Sequence, residues 1–227
     1  MAAVNLLLFD IDGTLIRSSG GGQSIFAALE QVLGRPFPEK TWDMGGKTDR
    51  LIFREMSERM GLVGKDFLDR VPELDRCYLK ELEERLSRTE VRTHPGVESL
   101  LEALGSQNQV LALLTGNHPE GARMKLERAG IWHRFKFGAY GHQTDRREDL
   151  PALARALARE KVGREFGQKQ MIIIGDTPRD IACARAGGCR VLAVATGGSS
   201  YEVLEAAKPD LLVRTLEDPR CLEFLIS

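Results

Sequence analysis

The sequence predicts an α/β protein in which a doubly wound, Rossmann-like parallel sheet carries an inserted all-helical segment. Three short apolar runs, at residues 6–9, 110–114 and 171–174, each stop on polar residues. Such runs are typical of strands in a parallel sheet that helices cover on both faces. Helical patterns separate the runs, and residues 20–88 show helical periodicity with no convincing strand. Strands that alternate with helices indicate a parallel, doubly wound sheet.

The segment after the first strand predicts three helices. Residues 25–33 repeat apolar side chains at helical spacing. A second helix is expected to begin at Thr48 or Asp49, because both residue types cap helix starts. A third pattern covers residues 66–86, and we expect Pro72 to interrupt it, because proline lacks the backbone N–H that a helix interior uses.

Loops flank this helical segment. Residues 17–22 precede it and include three consecutive glycines, and residues 89–96 follow it. The glycines indicate either a hinge between two units or a simple flexible loop. We therefore predict two domains: an α/β core of residues 1–16 and 92–227, and a helical insertion of residues 17–91.

The remainder of the chain alternates between helices and strands. The apolar runs at 110–114 and 171–174 are its most strand-like segments, and the second contains three isoleucines. The other predicted elements, in order, are helices at 97–104, 119–129, 148–160 and 179–186, strands at 135–140, 190–195 and 211–213, a helix after Ser200 and a terminal helix.

The composition excludes several classes of function. The chain has 227 residues, 42% hydrophobic and 29% charged, and its net charge of −1 provides no basic field for non-specific nucleic-acid binding. Its four cysteines form no C-x-x-C pair, so neither a zinc site nor a disulfide framework is indicated. No apolar run approaches the roughly 20 residues of a membrane span. We expect a cytoplasmic protein that binds neither nucleic acid nor membranes, and no protein partner is evident.

Carboxylates follow two of the predicted strands. Asp10 and Asp12 come after the first strand, and Asp176 and Asp180 after the strand at 171–174. If these strands are neighbours, the carboxylates cluster, and two like charges about 4 Å apart repel by roughly 4 kcal/mol at an effective dielectric of about 20. Such a cluster either takes up protons or holds a cation. Oxygen ligands without His or Cys favour Mg²⁺. The alternative for Asp12-Gly13 alone is an ordinary turn.

Residues 115–117, Thr-Gly-Asn, end the strand at 110–114. A hydroxyl, backbone amides without steric cover and a helix start downstream suit an anion, and phosphate is the obvious one. Taken alone, the same residues also fit a turn and helix cap. The functional interpretation rests on three strands sharing one feature: each ends on polar residues within an otherwise apolar sheet.

These residues resemble the haloacid dehalogenase superfamily over essentially the whole chain. The family's first motif, D-x-D-x-T, stands at residues 10–14, and Thr115 resembles the hydroxyl of the second motif. The acidic pair of the fourth motif appears in residues 175–180. The helical insertion resembles the cap domain that one large subclass carries after its first motif.

The resemblance implies a role for each of these residues. Asp10 would be the nucleophile that takes up the phosphoryl group, and Asp12 the acid and base that protonates the leaving oxygen and then activates water. Mg²⁺ would be held by the Asp10 carboxylate, the Asp12 backbone carbonyl and Asp176, with Asp180 as a ligand directly or through water. Thr115 and nearby amides would bind the phosphoryl oxygens.

The third motif departs from the commonest pattern, which has a lysine. Residues 140–151 contain no lysine but include Arg146 and Arg147. Phosphoglycolate-phosphatase-like relatives with Asp-Arg at this place favour Arg146, with Arg147 as the second choice, and two solvated arginines are the alternative. The expected catalytic set is Asp10, Asp12, Thr115 and Arg146, and the expected phosphate-binding residues are Gly13, Thr115, Gly116, Asn117 and Arg146.

The helical insertion contains a candidate specificity loop. Gly46, Lys47 and Thr48 lie in a stretch similar to the specificity loop of phosphoglycolate-phosphatase-like members. Lys47 would reach a substrate carboxylate, and an exposed lysine at a helix start is an equal alternative.

The resemblance implies a Mg²⁺-dependent phosphatase that acts on a small phosphorylated metabolite, with 2-phosphoglycolate the leading candidate. A sugar phosphomutase of the β-phosphoglucomutase type shares the core motifs and is the main alternative. A dehalogenase is disfavoured because those relatives lack the second aspartate, and Asp12 is present. A phosphonate-cleaving enzyme would need a Schiff-base lysine, for which Lys47 is the candidate. A non-catalytic binding module is the alternative from another class.

Overall fold

The computed structural model describes residues 4–18 and 20–227. Residues 1–3 of the predicted core and Ser19 of the predicted leading loop lie outside the described residues. The strands are β1 (Leu6–Phe9), β2 (Ile16–Arg17), β3 (Arg92–Thr93), β4 (Val110–Thr115), β5 (Gly138–Tyr140), β6 (Met171–Gly175), β7 (Arg190–Val194) and β8 (Leu211–Val213). The α-helices are α1 (Gly21–Leu33), α2 (Asp49–Arg59), α3 (Gly64–Arg88), α4 (Val97–Ser106), α5 (Pro119–Arg128), α6 (Leu150–Val162), α7 (Pro178–Gly187), α8 (Tyr201–Ala206) and α9 (Arg220–Ile226).

Six strands form one parallel sheet in the order β5-β4-β1-β6-β7-β8. The first strand lies in the middle, with Leu6 paired to Val110 of β4 on one side and to Met171 of β6 on the other. The expected neighbours are therefore adjacent, and the predicted fold class is confirmed.

Side chains of β1 alternate between the two faces of this sheet. Leu7 and Phe9 join a core with α4, α5 and α9, whereas Leu6 and Leu8 join a core with α6, α7 and α8. All four are fully buried. Burial on both faces explains why the run is continuously apolar, since neither face of a doubly wound sheet meets water.

The helices α1, α2 and α3 pack on one another around a third apolar cluster. Ile25 and Leu29 of α1, Met56 of α2, and Leu74 and Tyr78 of α3 are buried in it. The three helices of the helical insertion thus have a core of their own. The exact division into domains at residues 17 and 91 stays a prediction.

Two local expectations in the helical insertion are wrong. Helix α3 continues through Pro72; the loss of an internal hydrogen bond costs about 3 kcal/mol, and the buried stripe along the same helix offsets that cost. The predicted loop glycines Gly21 and Gly22 instead form the first turn of α1. Thr48 caps α2 by accepting a hydrogen bond from the Leu51 amide, so the first of the two predicted helix starts, Thr48 or Asp49, is the cap.

A short antiparallel pair joins the two points where the chain enters and leaves the helical insertion. Ile16 of β2 pairs with Thr93 of β3, and Arg17 pairs with Arg92. The sequence did not predict these two-residue strands. Among the helices of the described residues, none is long and apolar enough to cross a membrane.

Candidate active site

A cavity of about 540 Å³ lies between the carboxyl edge of the sheet and the helical insertion. Strands β4, β1 and β6 are adjacent and parallel, so the loops that follow them meet at this edge. The core contributes Asp10, Asp12, Gly13, Thr115, Gly116, Asn117, Lys125, Arg147 and Asp176, among others. The helical insertion contributes Ile25, Met44, Gly46, Lys47, Asp49, Ile52 and Tyr78, among others.

Three of the four predicted metal ligands form a buried acidic cluster. Carboxylate oxygens of Asp10, Asp176 and Asp180 lie within 4.8 Å of one another. Asp180 is also fixed from its own helix, because its carboxylate accepts a hydrogen bond of 2.6 Å from the Thr177 hydroxyl. Asp176 accepts one of 3.0 Å from the Thr14 hydroxyl. Two strand ends and the first turn of α7 therefore deliver the cluster.

The cluster carries more negative charge than its protein partners neutralise. Burial, opposed in part by the Arg147 guanidinium, raises the pKa of Asp10 to about 6. Burial, together with the charges of Asp10 and Asp180, raises the pKa of Asp176 to about 8. Three buried carboxylates whose oxygens lie this close together are suited to a divalent cation, and an all-oxygen donor set fits Mg²⁺.

Two glycines make room for the Asp176 carboxylate. Gly13 has φ +86°, a left-handed conformation that side chains rarely adopt, and a Cβ there would collide with the Asp176 carboxylate. A Cβ on Gly197 would collide with the same group. Gly13 thus turns the chain after Asp12 and also lets a second strand end approach, so the turn interpretation and the site interpretation hold together.

The Asp12 side chain points away from the acidic cluster. Its Oδ1 accepts a hydrogen bond of 3.0 Å from the Ser18 hydroxyl, and its Oδ2 accepts bonds of 2.9 Å from Asn117 and 2.6 Å from the Lys125 ammonium. Burial alone would raise the pKa of Asp12, but the Lys125 charge and these hydrogen bonds outweigh it and lower the pKa. The predicted metal contact of Asp12 through its backbone carbonyl stays a prediction.

The Thr115-Gly116-Asn117 loop lies directly beside Asp12. Thr115 is fully buried, and its hydroxyl oxygen accepts a hydrogen bond of 2.9 Å from the Asn117 amide group. The Gly116 carbonyl accepts one of 2.8 Å from the backbone N–H of Asp49 at the start of α2. The loop therefore holds together the acid and base candidate and the helical insertion, and its phosphate-binding role stays a prediction.

Arg147, and not Arg146, lies against the acidic cluster. The Arg147 guanidinium is 5% exposed and lies 2.9 Å from an Asp10 oxygen and 2.5 Å from an Asp180 oxygen. The Arg146 side chain is 74% exposed and pairs with Asp149 at 3.8 Å. The geometry favours Arg147, the second choice of the sequence analysis, because Arg147 begins a 3₁₀ turn (Arg147–Asp149) with its side chain facing inward; the third-motif role stays a prediction.

The predicted specificity loop lies over the cavity, but its lysine is already paired. The Gly46 carbonyl accepts a hydrogen bond of 3.3 Å from Arg147, and Thr48 is fully buried at the start of α2. The Lys47 ammonium lies 2.7 Å from Glu55 and 3.7 Å from Asp43, with its side chain 11% exposed. Neither alternative for Lys47 anticipated this pairing.

Lys125 is the site residue that the sequence analysis missed. It lies on α5 in the stripe that begins with Ala122 and continues with Leu126, and both of these neighbours are fully buried. A lysine among the inward positions of an amphipathic helix was the available signal, because lysine is almost never buried without a partner. Its partner, Asp12, is 113 residues away in the chain, so no local sequence pattern could indicate this pair.

Residues 7–194 match the family model of the haloacid dehalogenase-like hydrolases. The chain is 26% identical to the protein named "Probable phosphatase IndB" from Dickeya dadantii, over 94% of this chain and 90% of the relative. It is 29% identical to a phosphoglycolate phosphatase from Pasteurella multocida, over 92% of this chain and 94% of the relative.

A similar fold has been solved for a relative. The crystal structure of a predicted phosphoglycolate phosphatase from Haemophilus somnus 129PT superposes with a TM-score of 0.70 at 26% identity. The match covers 95% of this chain and 96% of that one, so it includes the helical insertion as well as the sheet.

Proposed function

This chain belongs to the haloacid dehalogenase-like hydrolases, and we propose that it is a Mg²⁺-dependent phosphatase that works through an aspartyl-phosphate on Asp10. Within this family, the chain is a phosphatase. One observation carries the proposal. Asp10, at the end of the central strand, lines the cavity as a member of the acidic cluster, with Asp12 two residues away at the same cavity.

Three residues would hold the cation. Asp10, Asp176 and Asp180 provide oxygen donors within 4.8 Å of one another, and burial together with the charges of Asp10 and Asp180 raises the pKa of Asp176 to about 8. Bound Mg²⁺ supplies positive charge that screens the nucleophile from the phosphate and stabilises the transition state. Arg147, which touches both Asp10 and Asp180, stabilises the same charge from the protein side.

The side chains divide the reaction into two displacements. In the first, an Asp10 oxygen bonds to phosphorus as the bond to the leaving oxygen breaks, and Asp12 gives a proton to that oxygen. In the second, a water oxygen bonds to phosphorus and passes a proton to Asp12 while the bond between phosphorus and the Asp10 oxygen breaks. Inorganic phosphate leaves, and the Asp10 carboxylate is restored. Splitting one displacement into two lowers each barrier, and a single carboxylate serves as acid and then as base.

The phosphoryl oxygens would be bound by residues that line the cavity next to the acidic cluster. These are Thr115, Gly116, Gly13 and Arg147, whose guanidinium would contribute positive charge to an oxyanion. The Asn117 amide already bonds Lys125, Asp12 and Thr115, so we assign it to holding these groups.

We propose 2-phosphoglycolate as the first substrate to test, because the relative from Pasteurella multocida is named for this activity. In this chain, a substrate carboxylate at Lys47 would have to displace Glu55, which lies 2.7 Å from the ammonium. Phosphorylated metabolites that lack a carboxylate should therefore be assayed together with 2-phosphoglycolate.

The decisive measurement is phosphate release by purified protein with Mg²⁺, and with EDTA as control. Asp10→Asn is expected to abolish release from p-nitrophenyl phosphate, because the amide is a poor nucleophile, while the circular dichroism spectrum is unchanged. Asp69→Asn, on the exposed side of α3, is the matched control and is expected to retain full activity. Turnover that persists in Asp10→Asn would exclude the mechanism.

The same assay separates the alternatives. A phosphomutase would convert a hexose phosphate into an isomer without net release of phosphate, and a binding module would release none from any ester. The relatives named above are phosphatases, which favours hydrolysis.

A further inference from the structure

A buried lysine lies beside the proposed acid and base without a place in the mechanism above. The Lys125 side chain is 4% exposed, and its ammonium lies 2.6 Å from Asp12 Oδ2. Removing an ammonium from water costs several kcal/mol unless other groups replace the lost hydration. This buried ammonium lies on a helix face otherwise packed with apolar side chains. Its position therefore indicates a role that it performs through its partner, Asp12.

The hydrogen bonds around Lys125 fix the orientation of the neighbouring amide. The ammonium donates to Asn117 Oδ1 at 2.6 Å. Because an ammonium only donates, the oxygen of Asn117 must face Lys125, and its NH₂ group must face the other way. That NH₂ group donates to Asp12 Oδ2 at 2.9 Å and to the Thr115 hydroxyl at 2.9 Å.

The two oxygens of Asp12 are therefore unequal. Oδ2 accepts from both Lys125 and Asn117, whereas Oδ1 accepts from Ser18 alone among the hydrogen bonds found in the described residues. The Asp12 side chain is 42% exposed and lines the cavity. Oδ1 is therefore the oxygen with a free lone pair that can accept and donate a proton during the reaction.

We propose that Lys125 is a positioning residue for Asp12: with Asn117 it clamps Oδ2 and so presents Oδ1 to the leaving oxygen and to the attacking water. This inference rests on the proposed function, since it needs Asp12 as the proton carrier. A carboxylate held by one end has little freedom left about its two side-chain torsions. Correct placement matters because a displacement of about 1 Å at a reacting group can cost about 10²-fold in rate.

The first test is the Lys125→Met variant, which keeps an unbranched side chain of nearly the same length and removes the donor. We expect kcat for p-nitrophenyl phosphate to fall by about 10²-fold with KM nearly unchanged, because the substrate contacts remain while Asp12 loses its clamp. Arg123→Met is the matched control. Arg123 lies on the same helix but pairs with Glu120 and Glu127 at the surface, and we expect its kcat to be unchanged.

The second test asks whether Lys125 acts through Asp12. In an Asp12→Asn background the clamp has no carboxylate to place, so we expect Lys125→Met to lower kcat by less than about threefold further, a strong departure from additivity. The p-nitrophenyl ester suits this cycle because its leaving group departs without a proton donor. Should Lys125→Met fail to fold by circular dichroism, Lys125→Gln goes through the same cycle.

The outcomes separate this inference from the proposed function. Full and equal losses in both backgrounds, or no loss in either, would overturn the positioning role. If the wild type releases phosphate and Asp10→Asn does not, the proposed function survives that result. A wild type that releases no phosphate from any ester would overturn both.

Discussion

The guanidinium of Arg147 bridges a proposed nucleophile and a helix start. It touches Asp10 and Asp180, and it also donates to the Gly46 carbonyl of the helical insertion. A fixed guanidinium between two carboxylates offsets part of their repulsion, and it remains charged at any pH the protein meets. One side chain thereby connects the first strand, the start of α7 and the loop over the cavity.

Arg147→Met is expected to lower kcat/KM by about 10²-fold or more, because a preorganised cation next to the transferring phosphoryl group is lost. Arg146→Met is the adjacent control, and we expect its kcat/KM to be unchanged because that side chain is exposed. Steady-state kinetics on the two variants decide between the arginines. Equal losses in both would contradict the assignment.

A second buried acid, Asp49, belongs to the first turn of α2. Its carboxylate accepts a hydrogen bond of 2.7 Å from the His118 backbone amide. Burial, opposed in part by Lys125, raises the pKa of Asp49 from 3.8 to about 6. The folded chain therefore binds this proton more tightly than the unfolded chain does.

This shift predicts a pH dependence of stability. The stabilisation from the Asp49 proton is complete below about pH 4 and is lost as the pH rises through about 6, a change of about 3 kcal/mol. Asp49→Asn keeps an acceptor oxygen but does not titrate. Relative to the wild type, the variant should therefore gain free energy of unfolding over this pH range.

Urea unfolding of wild type and Asp49→Asn at several pH values measures this difference. Asp69→Asn, at an exposed position of α3, controls for a change in net charge. A wild-type to Asp49→Asn difference that does not change with pH would contradict the prediction.

At the scale of elements, backbone contact joins α2 to the loop after β4 beside the cavity. The Asp49 N–H donates to the Gly116 carbonyl, and a Cβ on Gly116 would collide with the Lys47 carbonyl. Only glycine permits this approach of the helical insertion to the sheet edge. Gly116 thus allows the close contact between the helical insertion and the sheet edge, in addition to its proposed role in binding phosphate.

Gly116→Ala is expected to push the loop before α2 away and to lower kcat/KM by about tenfold or more, because the lid would no longer meet the sheet edge. Faster hydrogen exchange at the Asp49 amide would report the broken contact directly. Gly105→Ala is the control: it lies in α4 with no atom within 4 Å of its added Cβ, and it should stabilise by about 0.5–1 kcal/mol. Unchanged exchange at Asp49 would contradict the expectation.

The predictability of each element follows from its environment. Strands β1, β4 and β6 were predictable because burial on both faces leaves a continuous apolar run. The two-residue strands β2 and β3 were not, because only their pairing with each other defines them. Pro72 was misjudged because propensity is local, whereas the stripe that stabilises α3 is satisfied by α1 and α2.

The same reasoning applies to the site. The clustering of Asp10, Asp176 and Asp180 was predictable because Asp10 and Asp176 directly follow adjacent strands, and Asp180 lies in the first turn of the helix that follows the second of them. The choice between Arg146 and Arg147 depends on the phase of one 3₁₀ turn, and Lys125 depends on a partner far along the chain. The predicted cytoplasmic location is a separate matter and stays a prediction.

At the scale of the whole molecule, a cation at the acidic cluster would link two strand ends and the start of α7. Mg²⁺ is therefore expected to raise Tm, since binding to the folded state at 100 times Kd contributes about 2.7 kcal/mol. Thermal unfolding with Mg²⁺ and with EDTA measures the shift. Asp176→Asn should lose most of it, because a central ligand is removed. An equal shift in that variant would place the cation elsewhere.

The paired strands β2 and β3 also have a consequence for engineering. Because Ile16 and Thr93 are paired neighbours on two adjacent strands, the helical insertion leaves and rejoins the core at one point. A segment whose ends lie side by side can be exchanged without moving what it is attached to. A helical insertion from a relative, grafted at this pair of strands, is therefore expected to redirect the choice of ester while the carboxylates below keep their places.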